Sequence, residues 1–207
     1  MTEIEQVKQL DAMGVDFAGF IFYPKSPRYV ARHLTGEQVR KARLRIGKVG
    51  VFVNATYDEV MRQVDDYGLD MVQLHGDETP RFCEQLASYI TVVKVFRLSE
   101  NDPVDWLIRP YQESCDMFLF DTEGVGYGGT GKKFNWDMLK PAAIDKLFFL
   151  SGGIEPGDVT RLEAFEREPV ARKLFAIDIN SKFEMSPGIK DLKKIKTMVE
   201  GMRSPNK

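Results

Sequence analysis

Short runs of apolar, β-branched and aromatic residues recur along the chain at Phe17 to Phe22, Lys48 to Val53, Met71 to Leu74, Thr91 to Phe96, Met117 to Asp121, Leu147 to Ser151 and Leu174 to Ile179. They are mostly continuous rather than alternating, the pattern of strands buried on both faces of a parallel sheet. Between them, apolar positions repeat at helical spacing, as in Tyr57 to Tyr67, Thr79 to Ser88, Pro103 to Gln112 and Glu155 to Phe165. Thr79-Pro80 reads as an N-cap followed by proline at the first helical position, and Leu192 to Met202 as a last amphipathic helix before the polar tail Ser204 to Lys207. Strand and helix alternate without a linker, which predicts one α/β domain over residues 1–207, a TIM (βα)8 barrel. The chain opens with a helix, Glu3 to Met13, where a barrel of eight opens with a strand, so the first β-strand is expected to be missing. An open doubly wound sheet would also hold seven strands, and the motifs weigh against it.

Composition narrows the partners. At 207 residues and 43% hydrophobic, the chain can bury one sizeable core. Its formal charge of −2 is spread over both halves, leaving no basic stripe for nucleic acid and no polybasic face for a membrane. No apolar stretch approaches the roughly 20 residues of a membrane span, and Met1-Thr2-Glu3-Ile4-Glu5 is not the basic start of a signal peptide. A cytoplasmic protein with a small-molecule partner is expected, its oligomeric state open. Cys83 and Cys115 lack CxxC spacing and are expected to be free thiols, and with only His33 and His75 available a histidine metal centre is not expected.

Candidate chemistry lies at the ends of the predicted strands. Phe118-Leu119-Phe120-Asp121 delivers a carboxylate to a strand's C-terminal end, where barrels build their active sites, and the glycine-rich stretch Gly124 to Gly131 can fold over it. Gly126 to Lys133 nearly matches a phosphate-binding P-loop, but Lys133 stands where a Ser or Thr would hold magnesium, so the stretch reads better as a lid whose Lys132 or Lys133 can lean toward an anion, or as a plain surface loop. Ser151-Gly152-Gly153-Ile154 and Asp178-Ile179-Asn180-Ser181 follow two consecutive strands, the seventh and eighth positions of a barrel. Exposed backbone N–H groups there suit phosphate, although each alone could be an ordinary turn. Tyr23-Pro24-Lys25-Ser26-Pro27-Arg28-Tyr29 is a stiff loop that can aim Arg28 at a carboxylate or leave it in solvent. Strand alternation puts Gln73 and His75 on one face and Leu74 on the other, with His75 open to a substrate contact or a structural role.

Together these segments resemble the phosphoribosylanthranilate isomerase family of tryptophan biosynthesis. The likeness runs through Gly19 to Tyr29, Gly50-Val51-Phe52-Val53-Asn54, Val72 to Glu78, Asp121-Thr122 with Tyr127 to Lys132, Leu150-Ser151-Gly152-Gly153 and Ser186 to Asp191. It implies a barrel that converts N-(5-phosphoribosyl)anthranilate to 1-(2-carboxyphenylamino)-1-deoxyribulose 5-phosphate by an Amadori rearrangement, with no cofactor and no metal. It implies Asp121 as general acid, Arg28 on the anthranilate carboxylate, Asp178 beside the anthranilate and His75, Gly128 and Gly129 among the substrate contacts. Gly152, Gly153, Asn180 and Ser181 would hold the phosphate. Where the family commonly reads Asp-Val-Ser-Ser-Gly-Val-Glu, this chain reads Asp178 to Glu184 with Lys182 in place of glycine.

The family's first strand carries Val-Cys-Gly, the cysteine being the general base, and by the resemblance it would sit two positions before Met1. The sequence is therefore expected to start late, to be weakly active as it stands and to leave ladder groups open on the two strands flanking the gap. Two other readings stay open: a catalytically dead barrel that binds a phosphorylated ligand or a partner protein, and another phosphate-handling barrel enzyme such as a pentulose-phosphate epimerase, whose metal-binding histidines are lacking here.

Overall fold

The computed structural model describes residues 1–122 and 135–203. All seven predicted strands form, as β1 (Phe17–Ile21), β2 (Gly47–Phe52), β3 (Met71–Leu74), β4 (Thr91–Leu98), β5 (Met117–Thr122), β6 (Phe148–Leu150) and β7 (Leu174–Ile177). They pair in parallel and in chain order, with a register shift between Phe148 and Phe149 where β6 meets β7. The sheet curls on itself: the Phe17 ring on β1 lies 5.7 Å from that of Phe175 on β7 and 5.9 Å from that of Phe149 on β6. This is a barrel with an opening between its first and last strands, and no eighth strand lies there among the described residues.

Alternation along the strands sorts the apolar residues into two cores. Val49, Met71, Val93, Val95, Leu119 and Phe149 fill the barrel interior. Their neighbours in sequence, including Val72, Leu74, Val92, Phe118, Phe120 and Phe148, face the surrounding helices in a larger second layer.

That layer is covered by α1 (Ile4–Ala12), α2 (Gly36–Lys41), α3 (Tyr57–Tyr67), α4 (Pro80–Ala87), α5 (Val104–Ile108), α6 (Val159–Glu166) and α7 (Leu192–Arg203). Thr79 caps α4 as its sequence predicts, accepting from Phe82 N–H at 3.3 Å, with Pro80 in the first turn. The helix expected over Pro103 to Gln112 breaks into α5 and a 3-10 turn at Arg109–Tyr111, because Pro110 has no N–H to continue the α-helical ladder. Similarly, Pro156–Asp158 is a 3-10 turn ahead of α6. The pattern missed α2, which buries only Gly36 and Val39 and so shows no apolar stripe; its signal is the capping box of Thr35 and Gln38. Also missed is the hairpin of β8 (Glu184–Ser186) and β9 (Ile189–Lys190).

The hairpin and the first residues of the chain close part of the opening. The Met1 amino group donates to the Gly19 carbonyl at 2.7 Å, Thr2 Oγ1 to the Gly188 carbonyl at 2.9 Å, and Gln6 exchanges two hydrogen bonds with the Lys190 backbone at 2.8 and 3.0 Å. Gly19 on β1, a strand with one neighbour in the sheet, thus has a partner for its carbonyl, contrary to a fully open edge. Among the described residues no helix is long and apolar enough to cross a membrane.

Candidate active site

The C-terminal ends of the strands gather most of the predicted residues into one mouth. Asp121 sits at the end of β5, two positions beyond Leu119 and on the same inward face. Burial pushes its carboxyl up to about 6, helped by the charge of Asp178, while the Thr122 N–H (2.8 Å) and Arg97 pull it down. His75, just beyond β3, places Nε2 3.6 Å from Asp121 Oδ2. Its Nδ1 lies 3.2 Å from the Gln73 amide nitrogen, so the predicted pairing of Gln73 and His75 on one face holds, with Leu74 buried on the other. Burial, then the charges of Arg97 and Lys94, lowers the imidazole to about 4. His75 is therefore neutral near pH 7. With Nδ1 accepting from Gln73, its proton is on Nε2 and faces Asp121.

Arg97, which the sequence reading passed over, pairs in register with Asp121 and reaches Asp77 Oδ1 at 3.5 Å. Its signal was present: Val93, Val95 and Arg97 share the inward face of β4, and a lone cation at the mouth end of an apolar series marks a site rather than a core.

Across the mouth, Asp178 follows β7 and accepts weakly from Ser151 Oγ at 3.4 Å. Burial raises its carboxyl above the usual range, against the opposing pull of Lys190 and Ser151. Gly152 and Gly153 both take positive φ, 88° and 69°, turning the chain after β6 in a way that side chains oppose. Asn180 and Ser181 lead into a 3-10 turn, and Asn180 Oδ1 accepts from Lys190 Nζ at 2.7 Å.

Arg28 is neither solvated nor free. Its guanidinium grips Glu184 through Nε (2.9 and 3.0 Å) and Nη2 (2.6 Å), both side chains largely buried. Glu184 also accepts from Lys190 Nζ at 3.3 Å and from Gly188 N–H at 3.1 Å. Burial works to raise the Glu184 carboxyl, and Arg28, Lys190 and Gly188 together outweigh it, holding it below the ordinary value. Neither Glu184 nor Lys190 was foreseen as part of the site. The partners Arg28 and Glu184 lie 156 positions apart, and no local spacing could announce the pair.

The chain's two thiols lie elsewhere. Cys83 is buried in α4, and burial pushes its thiol up to about 11. Cys115 is buried ahead of β5, at the end away from the mouth, with its thiol pushed up to about 12 for the same reason. The predicted lid over Gly124 to Gly131, with Gly128 and Gly129, the lysines Lys132 and Lys133, and the tail Ser204 to Lys207 lie outside the described residues.

Comparison with known proteins agrees with this geometry. The family model described as N-(5'-phosphoribosyl)anthranilate (PRA) isomerase matches residues 1–201. The chain is 38% identical to the N-(5'-phosphoribosyl)anthranilate isomerase of Parabacteroides distasonis, over 99% of this chain and 91% of that one. It is 37% identical to that of Phocaeicola vulgatus, over 98% and 95%. Among solved structures, the phosphoribosyl anthranilate isomerase of Thermotoga maritima superposes with a TM-score of 0.83 at 32% identity, covering 98% of this chain and 95% of the other. A phosphoribosyl anthranilate isomerase in complex with reduced 1-(o-carboxyphenylamino)-1-deoxyribulose 5-phosphate superposes with a TM-score of 0.77 at 29% identity, covering 98% and 95%.

Proposed function

This chain belongs to the N-(5'-phosphoribosyl)anthranilate isomerase family, and from that premise we propose how its barrel mouth divides the work of the reaction. The protein is an isomerase of tryptophan biosynthesis, acting on N-(5'-phosphoribosyl)anthranilate. Asp121 is the general acid. It protonates the ribose ring oxygen, the ring opens to an iminium, and loss of the C2′ proton gives an enolamine that tautomerises to the ketone.

The observation that carries this assignment is the place of Asp121, largely buried at the mouth end of β5 with His75 Nε2 3.6 Å away, a setting that raises its carboxyl. An ordinary aspartate is protonated in fewer than about one molecule in a thousand at pH 7, whereas a group titrating near 6 is protonated in roughly one in ten. The neutral His75 N–H faces the carboxylate left after proton transfer and can stabilise it without competing for the proton.

Arg28, held in place by Glu184, takes the anthranilate carboxylate with its remaining N–H groups, and Asp178 lies beside the anthranilate. Gly152, Gly153, Asn180 and Ser181 hold the phosphate through backbone N–H groups. Gly128 and Gly129 complete the substrate contacts by resemblance. Neither Cys83 nor Cys115, each with a raised thiol and buried away from the mouth, is placed to act as the base that removes the C2′ proton. The two free thiols suit a reducing compartment, and we place the enzyme in the cytoplasm.

The test is Asp121→Asn made in a form of the enzyme that is active to begin with, assayed by conversion of N-(5'-phosphoribosyl)anthranilate followed through the anthranilate chromophore. Turnover is expected to fall by about a thousandfold. Near wild-type turnover would remove Asp121 from the role.

A further inference from the structure

Lys94 and Glu78 form an ion pair at 2.9 Å with side chains only 4% and 3% exposed. Lys94 projects from the outward face of β4, into the layer between sheet and helices, where an apolar pair would serve stability as well or better. Most of the hydrogen bonds the pair makes converge on one short segment. The Lys94 ammonium donates to the Leu74 carbonyl (3.3 Å), the Gly76 carbonyl (2.7 Å) and Glu78 Oε2 (2.9 Å), using all three protons. The Glu78 carboxylate accepts from the N–H groups of Gly76 (3.0 and 3.1 Å) and Asn54 (2.9 Å). The peptide groups on both sides of His75 are thus fixed by this pair, and the His75 N–H itself is bonded to the Phe52 carbonyl at 2.8 Å. Gly76 fits closely into the cradle: a Cβ there would stand 2.7 Å from Glu78 Oε1. The next residue, Asp77, donates its N–H to Asn54 Oδ1 at 2.7 Å and turns its carboxylate toward Arg97.

We infer that Lys94 and Glu78 are positioning residues: they pin the His75-Gly76-Asp77 turn against the barrel mouth, and through it keep water from the Asp121 carboxyl. The inference rests on the reading of Asp121 as the acid only for its consequence in turnover. Its structural half stands on the hydrogen bonds around His75. The charged and titratable groups that bear on Asp121 are His75 from the turn after β3, Arg97 from β4 and Asp178 from the end of β7, with the Thr122 N–H beside it. Of these, His75 is fixed by the pair directly, and Arg97 is tied to the same turn through Asp77. When the turn loosens, water reaches the Asp121 carboxyl, its charged form is relieved and its pKa falls.

The test uses the full chain with Lys94→Met and Glu78→Gln combined, so that no lone charge is left buried, and Gly76→Ala as a second variant that displaces the turn while keeping both charges. Folding is checked by thermal unfolding. The Asp121 carboxyl is then titrated by carbon NMR without ligand, assigned against Asp121→Asn, and kcat and KM are measured across pH. In both variants Asp121 is expected to titrate about one unit lower, the alkaline limb of kcat to move down with it, kcat at pH 7 to fall about tenfold and KM to change less than threefold. A shifted titration with unchanged kcat would uphold the positioning role and overturn Asp121 as the acid. Variants that fold cooperatively with an unmoved Asp121 titration would overturn the inference and leave the pair as packing. If the double variant does not fold, Gly76→Ala alone decides between these outcomes.

Discussion

On β5, Leu119 and Asp121 point the same way, two residues apart, and the barrel treats them in opposite fashion. Leu119 is about fully buried among Val93, Val95 and Phe149, and its removal from water stabilises the fold. Asp121 is buried enough that its charged form is disfavoured, so at neutral pH its burial costs stability. The lower barrel is built of side chains that need nothing but contact, while the mouth above it is built of groups held away from their preferred states. Asp121 is raised, His75 is lowered, and Glu184 is charged where burial opposes charge. The difference teaches that one strand supplies stability at one end and chemistry at the other, with a change of role inside two residues.

Substitutions at the two levels break the comparison apart. The largest effect is expected at Asp121. Asp121→Asn, besides its loss of turnover, should make the fold more stable at pH 7, by up to about 3 kcal/mol. The sign follows from the raised pKa. Above pH 6 the carboxyl is charged in both the folded and unfolded chain and the cost of burying it is fully present; below about pH 4 it is neutral in both and the cost is gone. Urea unfolding of wild type and variant should therefore differ at pH 7 and converge near pH 4. Two residues below, Leu119→Ala should do the reverse, lowering stability by about 2–5 kcal/mol while the folded fraction keeps its turnover within a few-fold.

Smaller changes sharpen the comparison within the mouth. Arg28→Lys keeps a positive charge but loses the forked grip on Glu184, and KM should rise about tenfold with kcat little changed. Ser151→Ala removes one long hydrogen bond to Asp178, and steady-state kinetics should register less than a threefold effect on kcat/KM. Equal effects of the Arg28 and Ser151 substitutions would mean that the Glu184 grip does not orient Arg28.

The sequence showed strands and acid more clearly than it showed the electrostatic frame around them. The continuous apolar runs located every strand of the sheet, the central ones because burial on both faces leaves a clear trace, and Asp121 stood out as a carboxylate closing such a run. Helix ends were read where chemistry marks them, as at Thr79-Pro80, and misread where Pro110 interrupts a helical spacing that apolar periodicity alone would continue. The Arg28–Glu184 pair was not legible, since it joins loops 156 positions apart that meet only once the barrel has curled, and the Lys94–Glu78 pair was not, since it depends on the register of β3 against β4. Arg97 was legible and overlooked: alternation along β4 places it on the inward face above Val95. The family resemblance named the contacts expected of Arg28 without revealing that Glu184 engages it first.

The most direct measurement is the titration of the Asp121 carboxyl in the ligand-free wild-type protein, by carbon NMR with Asp121→Asn for assignment. A midpoint near 6 is predicted, with the carboxyl partly protonated at the pH where it must donate to the ring oxygen. A midpoint near 4, that of a solvated aspartate, would contradict the account, because the mouth would then lack a group able to start the reaction at neutral pH.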